Sequence, residues 1–522
     1  MKTATKTLSS EVRKLKSLLK DERILSQEKD NEIRSLQEKN QYLLEQFRLA
    51  QQKQFGKSSE KHSGQCELFN EAEQLVDEEI AVQVEDKETT NVPRKQPKRK
   101  PLPKDLPREM VVIDLPDEEK SCDCCGNDLH KMGEKKSERL KFIPAQIKVI
   151  ETIRPQYSCR HCEKKETKVQ IKIAPVPLSA IPKSIATPSL LSQIITNKFQ
   201  HALPLYRQEV MFKQHGIILS RKTMSGWTIK ASTLFKPIID YLHQQLLKQP
   251  VIQADETTLK VIHEDKNKCY MWVYCSGIDS PSENENQNKI KNIVLYDYHA
   301  SRAGSCAVNY LKGFDGYLQT DGYKAYEQVN VKKLIGCMAH ARRKFKEAQT
   351  AQPKNKMGRA DLAIKKIANL YGIEKNIKAL PANEKYKIRQ EKSLPLLNEL
   401  KEWLDKSIRQ VLPKSLTGIA IQYTLNQWGK LSGYVESGDI NIDNNRAERA
   451  VKPFVIGRKN WMFCNTASGA NASAILYSLI ETAKTNGLTP FNYLMFLLEE
   501  LPKQPDDFEY LMPWNVDLEK TI

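Results

Sequence analysis

Between residues 8 and 49 the apolar positions advance in alternating steps of four and three. Leu8, Val12, Leu15 and Leu19 set the frame, and Ile33, Leu36, Asn40, Leu43 and Phe47 resume it. The stretch is rich in Leu, Glu, Lys and Gln and holds neither Gly nor Pro, so it reads as one long helix with a coiled-coil seam. Glu22, Ser26 and Lys29 fall on the seam in the middle, where pairing weakens or shifts through Ile24 and Leu25. Asn40 would favour a defined register in a parallel dimer, with a hairpin folding back on itself as the alternative.

From Val251 the pattern turns to strands. VIQADETTLKVI, CYMWVYCSG and NIVLYDYHAS suggest a three-stranded meander. A helical piece (Gly304 to Leu311), the strand GYLQTDG, a short helix from Tyr323 and the strand KLIGCMAHA follow. Three antiparallel strands and then alternating helices and strands describe a ribonuclease-H-like α/β domain. Phe345 to Ser432 is helical by composition, with breaks near Pro353, Pro381 and Pro413, and reads as an all-helical insertion. Beyond it, Ala447, Ala450, Val451 and Phe454 form one apolar stripe on a helix, while Asn444, Glu448 and Lys452 share another face. That spacing turns the Glu448 carboxylate outward. Phe491 to Leu501 is a closing amphipathic helix, and the tail after Pro502 carries no signal.

The whole is a multidomain α+β chain. Its expected parts are a coiled coil (1–55), a charged, Pro-rich linker (56–110), a zinc ribbon (111–175) and a helical, helix-turn-helix-like DNA-binding region (176–250). The catalytic core follows in two parts (251–344 and 436–505) around the insertion (345–435), and a tail (506–522) ends the chain.

Composition narrows the function. At 522 residues the chain exceeds a single core, and a formal charge of +18 with a pI near 9.2 points to a polyanionic partner. No apolar run is long enough to span a bilayer, and the first residues lack the apolar segment of a secretory signal, so a cytoplasmic, nucleoid-associated protein is expected. The 11 cysteines are odd in number and scattered, which disfavours a disulfide framework and favours metal ligation where they cluster.

Cys122 with Cys125, and Cys159 with Cys162, are two C-x2-C pairs that can grip one structural tetrahedral zinc ion. Cys124 is a spare thiol, and His130 and His161 are possible substitute ligands. Leu205 to His215, a turn at Gly216 and a second helix after Ser220 have the outline of a helix-turn-helix, with Arg221 and Lys222 at the front of the second helix; an ordinary helix pair fits nearly as well.

In the predicted α/β domain the first and fourth strands are neighbours, which brings Asp255 and Asp321 together. Two such carboxylates repel unless hard cations sit between them, and a third from a flanking helix, Glu448, would complete a two-metal magnesium (or manganese) site for phosphodiester chemistry. Glu256 competes with Asp255 for this role. A capping box with Asn445 is the structural alternative for Glu448. His340, Arg342 and Arg343 after the fifth strand, and Arg446, Arg449, Arg458 and Lys459 around Glu448, are candidate DNA contacts, His340 for substrate or water and the cations for phosphate.

These residues carry a resemblance. Asp255-Glu-Thr, Thr320-Asp-Gly-Tyr, Gly336-Cys-Met-Ala-His-Ala-Arg-Arg-Lys-Phe, Asp443-Asn-Asn-Arg-Ala-Glu-Arg and Gly457-Arg-Lys-Asn-Trp are similar to motifs of the DDE transposases of bacterial insertion-sequence family sixty-six. The resemblance spans nearly the whole chain, including the zipper, the paired C-x2-C motifs and the tail from Ile475. It implies catalytic roles for Asp255, Asp321 and Glu448, and terminal-inverted-repeat DNA as the substrate joined to target DNA. Homo-oligomers through the coiled coil, and accessory proteins of the same element, are compatible partners. Met338 stands where the family usually has tryptophan, and Asn465-Thr-Ala-Ser-Gly-Ala-Asn replaces a more charged loop. A silent DNA-binding regulator and a nuclease without strand transfer are the competing functions.

Overall fold

The computed structural model describes residues 2–55, 147–157, 172–266, 268–277, 291–352 and 357–518. They fall into two compact units, Met1–Gln83 with Val176–Ile522, and Val84–Pro175.

In the smaller unit, strands β1 (Gln156–Tyr157) and β2 (Lys172–Ile173) pair antiparallel, and Arg154 Nη1 donates to Ala174 O at 2.9 Å beside them. Cys122, Cys125, Cys159 and Cys162, with the spare thiol Cys124 and the possible substitutes His130 and His161, lie outside the described residues.

The larger unit opens with α1 (Lys2–Phe55), one continuous helix as its composition demands. Its later turns rest on the helical insertion, where Arg48 Nη1 donates to Ala351 O (3.3 Å) and Glu45 Oε2 accepts from Leu416 N (2.8 Å). Leu36, Leu43 and Phe47 on the seam stay exposed. Helices α2 (Pro188–Phe199), α3 (Leu205–Gln214) and α4 (Arg221–Leu247) follow. Ser220 caps α4 by accepting from Thr223 N at 3.1 Å, worth about 1 kcal/mol to the helix. The second helix of the expected helix-turn-helix is therefore the start of a 27-residue rod whose buried side chains, from Met224 to Leu246, share one core with the sheet.

That sheet contains β3 (Val251–Leu259), β4 (Cys269–Ser276), β5 (Ile293–His299), β6 (Tyr317–Gln319) and β7 (Lys333–Ile335), in the order β5-β4-β3-β6-β7. The first three run antiparallel; β6 adds parallel to β3, and β7 parallel to β6. Helix α5 (Gly304–Tyr310) and a 3-10 turn (Lys324–Gln328) lie in the connections.

The insertion begins with α6 (Met338–Thr350), so the run KLIGCMAHA divides into a three-residue strand and a helix start. It continues through α7 (Arg359–Ile377), α8 (Ala382–Ile388), α9 (Leu394–Ser407), α10 (Leu416–Asn426) and α11 (Trp428–Leu431). These helices build a second core around Phe345, Ile367, Leu400 and Tyr434. Breaks fall near Pro381 and Pro413, since Pro cannot donate within a helix; Pro353 lies outside the described residues.

The chain then returns through α12 (Asn445–Trp461), α13 (Ala467–Thr485) and α14 (Pro490–Glu500). Helix α13 shields the edge strand β5: Thr482 Oγ1 accepts from Val294 N (3.0 Å) and Ser478 Oγ from Tyr296 N (2.8 Å). At Gly457, α12 meets α13 so closely that a Cβ would sit 2.3 Å from Tyr477 Oη. The tail, which carried no signal in the sequence, is built into the core, with Leu511 and Met512 fully buried. No described helix is long and apolar enough to cross a membrane.

Candidate active site

Asp255 sits on β3 and Asp321 two residues beyond β6. The parallel pairing matches Val251 to Tyr317, Ile252 to Leu318 and Gln253 to Gln319, an offset of 66 positions. The same offset carries Asp255 to Asp321. Because side chains alternate along a strand, Asp255 shares a face with Gln253, while Asp321 lies in the turn after β6 with its charge acting on Asp255.

Asp321 heads a tight turn, its Oδ1 accepting from Tyr323 N at 2.9 Å while Gly322 takes a φ of +93°. The hydroxyl of Tyr423 holds the Asp321 carbonyl at 3.1 Å.

Glu256 points to the other face of the sheet. There it pairs with Arg302, whose Nε donates at 2.8 Å, and accepts from Tyr326 Oη at 2.8 Å. These partners occupy both of its oxygens and hold it on the face opposite Asp255.

Glu448 is brought to the aspartate face by the segment before α12. Asn444 Nδ2 donates to Ala254 O (2.9 Å), and Gln253 Nε2 approaches Asp443 O (3.4 Å). Asp443 Oδ1 accepts from Asn445 N at 3.1 Å. Two expectations are corrected here. The N-cap is Asn444, whose side chain makes no capping hydrogen bond, so the capping box does not form; Asp443 Oδ1 meets the first helical amide instead. The Glu448 side chain is 3% exposed and faces inward, not outward, because α12 packs on β3 and β4 while His340 and Arg343 reach Glu448 from α6.

Around Glu448 the partners are Arg343 Nη2 at 3.4 Å from Oε2, His340 Nδ1 at 3.4 Å from Oε1, and Cys337 Sγ at 4.0 Å from Oε1. Burial drives the Glu448 pKa up to about 7; Arg343 opposes this, while Asp443 and Asp321 add to it. Burial likewise lifts Asp255 well above the usual carboxylate range, with the charges of Glu256, Asp321 and Glu448 pushing the same way. Burial and the nearby Arg343 lower His340 to about 4. His340 is thus neutral near pH 7, and its contact with Glu448 is not an ion pair.

The candidate DNA contacts separate by burial. Arg221, Lys222 and Lys459 are exposed; Arg343 and Arg449 are half-buried. Arg342 and Arg446 are buried, the latter donating to Asn292 Oδ1 at 3.0 Å, so neither offers its guanidinium to a surface-bound strand in this conformation. Arg458 turns back onto β3, donating to Thr258 Oγ1 at 3.0 Å.

Sequence reasoning passed over Gln253, Gln319, Asp443 and Cys337. A polar residue two places before each aspartate, inside an otherwise apolar strand, was the available signal for the glutamines; the Cys337-x2-His340 spacing was the signal for the cysteine.

The family model described as "Transposase IS66 family" matches residues 183–472, more than half of the chain and all of this site. The chain belongs to that family. Further models match the "zinc-finger binding domain of transposase IS66" at 119–163, "Transposase C of IS166 homeodomain" at 42–111 and the "IS66 C-terminal element" at 478–514. The zinc-finger match spans all four paired cysteines and the homeodomain match the linker, which ties this transposase-family chain to zinc and DNA. The uncharacterized protein y4jD of Sinorhizobium fredii (strain NBRC 101917 / NGR234) is 33% identical over 431 residues, covering 79% of this chain and 81% of the relative. The uncharacterized protein y4hP of the same strain is 32% identical over 464 residues, covering 84% and 81%. No solved structure matches.

Proposed function

We propose that this family member is a DDE-type transposase that cleaves the ends of an insertion sequence at terminal inverted repeats and joins the freed 3′ ends to target DNA. The observation that carries this reading is the shared 66-position offset of the Gln253–Gln319 and Asp255–Asp321 pairs, with Glu448 buried beside the same strands. The strand order, three antiparallel and two added parallel, supports a ribonuclease-H-like core.

The donor set fits hard divalent cations. The Asp321 charge pushes the Asp255 and Glu448 carboxyls up, and Glu448 does the same to Asp255; acids crowded in this way are stabilised as anions by positive charge placed between them. Asp255, Asp321 and Glu448 would hold Mg²⁺ or Mn²⁺, which when bound supplies activation of the attacking hydroxyl and stabilisation of the leaving oxygen. Arg343, fixed against Glu448, is the phosphate-facing cation nearest the acids, and neutral His340 can position substrate or water. Arg221, Lys222, Arg449 and Lys459 add cations for the DNA backbone. The zinc held by Cys122, Cys125, Cys159 and Cys162 is structural, and the α1 seam pairs two copies.

A 3′-end joining assay on a labelled inverted-repeat duplex with Mg²⁺ tests the reading. Parent protein should cleave and join, and Asp255→Ala, Asp321→Ala and Glu448→Ala should do neither. Variants that cleave as well as the parent would sink the mechanism, and cleavage without joining would reduce the protein to a nuclease.

A further inference from the structure

We infer that Cys337, His340 and Glu448 form a site for one soft divalent metal ion of the zinc type, distinct from a hard-cation site at the aspartates but sharing Glu448 with it. One donor atom from each residue lies within 4.8 Å of the others. The separations from Glu448 Oε1, 3.4 Å to His340 Nδ1 and 4.0 Å to Cys337 Sγ, approach the donor-to-donor edges of about 3.3–3.7 Å set by tetrahedral zinc bonds of about 2.0–2.3 Å.

A second observation points to a ligand. His340 Nδ1 is buried and makes no hydrogen bond among the described residues, which is costly unless something accepts its lone pair. The turn that carries Cys337 and His340 is already closed, His340 N donating to Cys337 O at 3.2 Å. Asn444 N donates to Cys337 Sγ at 3.2 Å, the kind of contact that orients a metal-bound thiolate.

A thiol, an imidazole and one carboxylate select zinc or cobalt over magnesium, and three protein donors leave a fourth position open. Binding displaces the thiol proton to solvent and ties α6 to α12 through the metal. On the reading proposed above, an ion held here draws Glu448 Oε1 away from the aspartates, so zinc would oppose magnesium-dependent cleavage.

The test is cobalt titration of the metal-free full chain, followed by absorption, for the parent, Cys337→Ser and His340→Gln. The ribbon cysteines are present in all three and contribute a constant background. The parent should take one more equivalent of Co²⁺ than either variant, or bind it at least tenfold more tightly, and the thiolate-to-cobalt band of that equivalent should vanish in Cys337→Ser. Equal stoichiometry, affinity and spectra in all three proteins would overturn the inference. If Cys337→Ser fails to fold by circular dichroism, His340→Gln, at a half-buried position, decides alone. The titration uses neither DNA nor turnover, so its failure and failure of the strand-transfer reading are separable.

Discussion

Gln253 Nε2 donates to Gln319 Oε1 at 2.9 Å across the parallel pair, two residues before each of the two aspartates. Gln319 Nε2 in turn donates to Asn441 O at 2.8 Å and approaches Gly336 O at 3.3 Å. One amide pair therefore fixes the strand register and anchors the segment that delivers Glu448. Glutamines at fully buried positions are tolerated because both Nε2 groups find acceptors.

Gln319→Leu leaves Gln253 Nε2, Asn441 O and Gly336 O short of partners. We expect a loss of about 1–3 kcal/mol in urea unfolding. The Gln253→Leu, Gln319→Leu double variant should lose less than the sum of the singles, because the second change removes a group already stranded. Additive losses would show that the pair does not act as a unit.

Glu448 supplies a pH dependence with a defined sign. Its folded pKa of about 7 lies above an unfolded value of about 4.3, so the metal-free fold binds the extra proton between them. Its contribution to stability is fully present below about pH 4 and is lost as pH rises through 7, roughly 3–4 kcal/mol in all. Asp255, also raised, adds in the same direction. Metal-free Glu448→Gln should therefore be more stable than the parent at pH 8, with the gap closing toward pH 4.5. Magnesium should stabilise the parent more at pH 8 than at pH 6, since protons compete for the carboxylates. Thermal unfolding across pH, with and without MgCl₂, checks both; a flat difference between parent and variant would refute the assignment.

Much of this was legible in the chain. The strand patterns placed Asp255 in the first strand and Asp321 at the end of the fourth, and the apolar stripe Ala447, Ala450, Val451 and Phe454 correctly gave the buried face of α12. Glu448 was misjudged as outward because helical periodicity describes one buried face. Here the sheet covers the apolar stripe while His340, Arg343 and Cys337 close over Glu448, and only tertiary packing reveals the second. The burial of Arg342 and Arg446 was hidden for the same reason. Glu256 could not be told from Asp255 by spacing alone; its partners Arg302 and Tyr326 lie 46 and 70 positions away in the chain.

Arg389 tests the second core. Its side chain is 2% exposed and donates to both oxygens of Glu374 (2.9 and 2.6 Å) and to the carbonyls of Tyr434 (3.1 Å) and Ser437 (2.6 Å). Arg389→Met strands a nearly buried carboxylate and should cost about 3–5 kcal/mol. Arg389→Met combined with Glu374→Met should recover part of that loss in a double-mutant cycle measured by urea unfolding. A single variant within 1 kcal/mol of the parent, as judged against that range, would show that the pair carries little.

The α1 seam gives the last prediction. Ile33, Leu36, Leu43 and Phe47 are 52–60% exposed on a single chain, an apolar line that water disfavours and a second helix would cover. Each leucine fully buried there contributes about 1.5–3 kcal/mol relative to exposure. Glu45 and Arg48, which dock α1 on the insertion, are not seam positions, so changing Leu36 and Leu43 leaves those two contacts in place. Leu36→Asp with Leu43→Asp should convert a dimer to a monomer in light scattering after size exclusion, while the urea midpoint of the core stays unchanged. A monomeric parent would end the dimer proposal, and a variant that remains dimeric would move the interface away from α1.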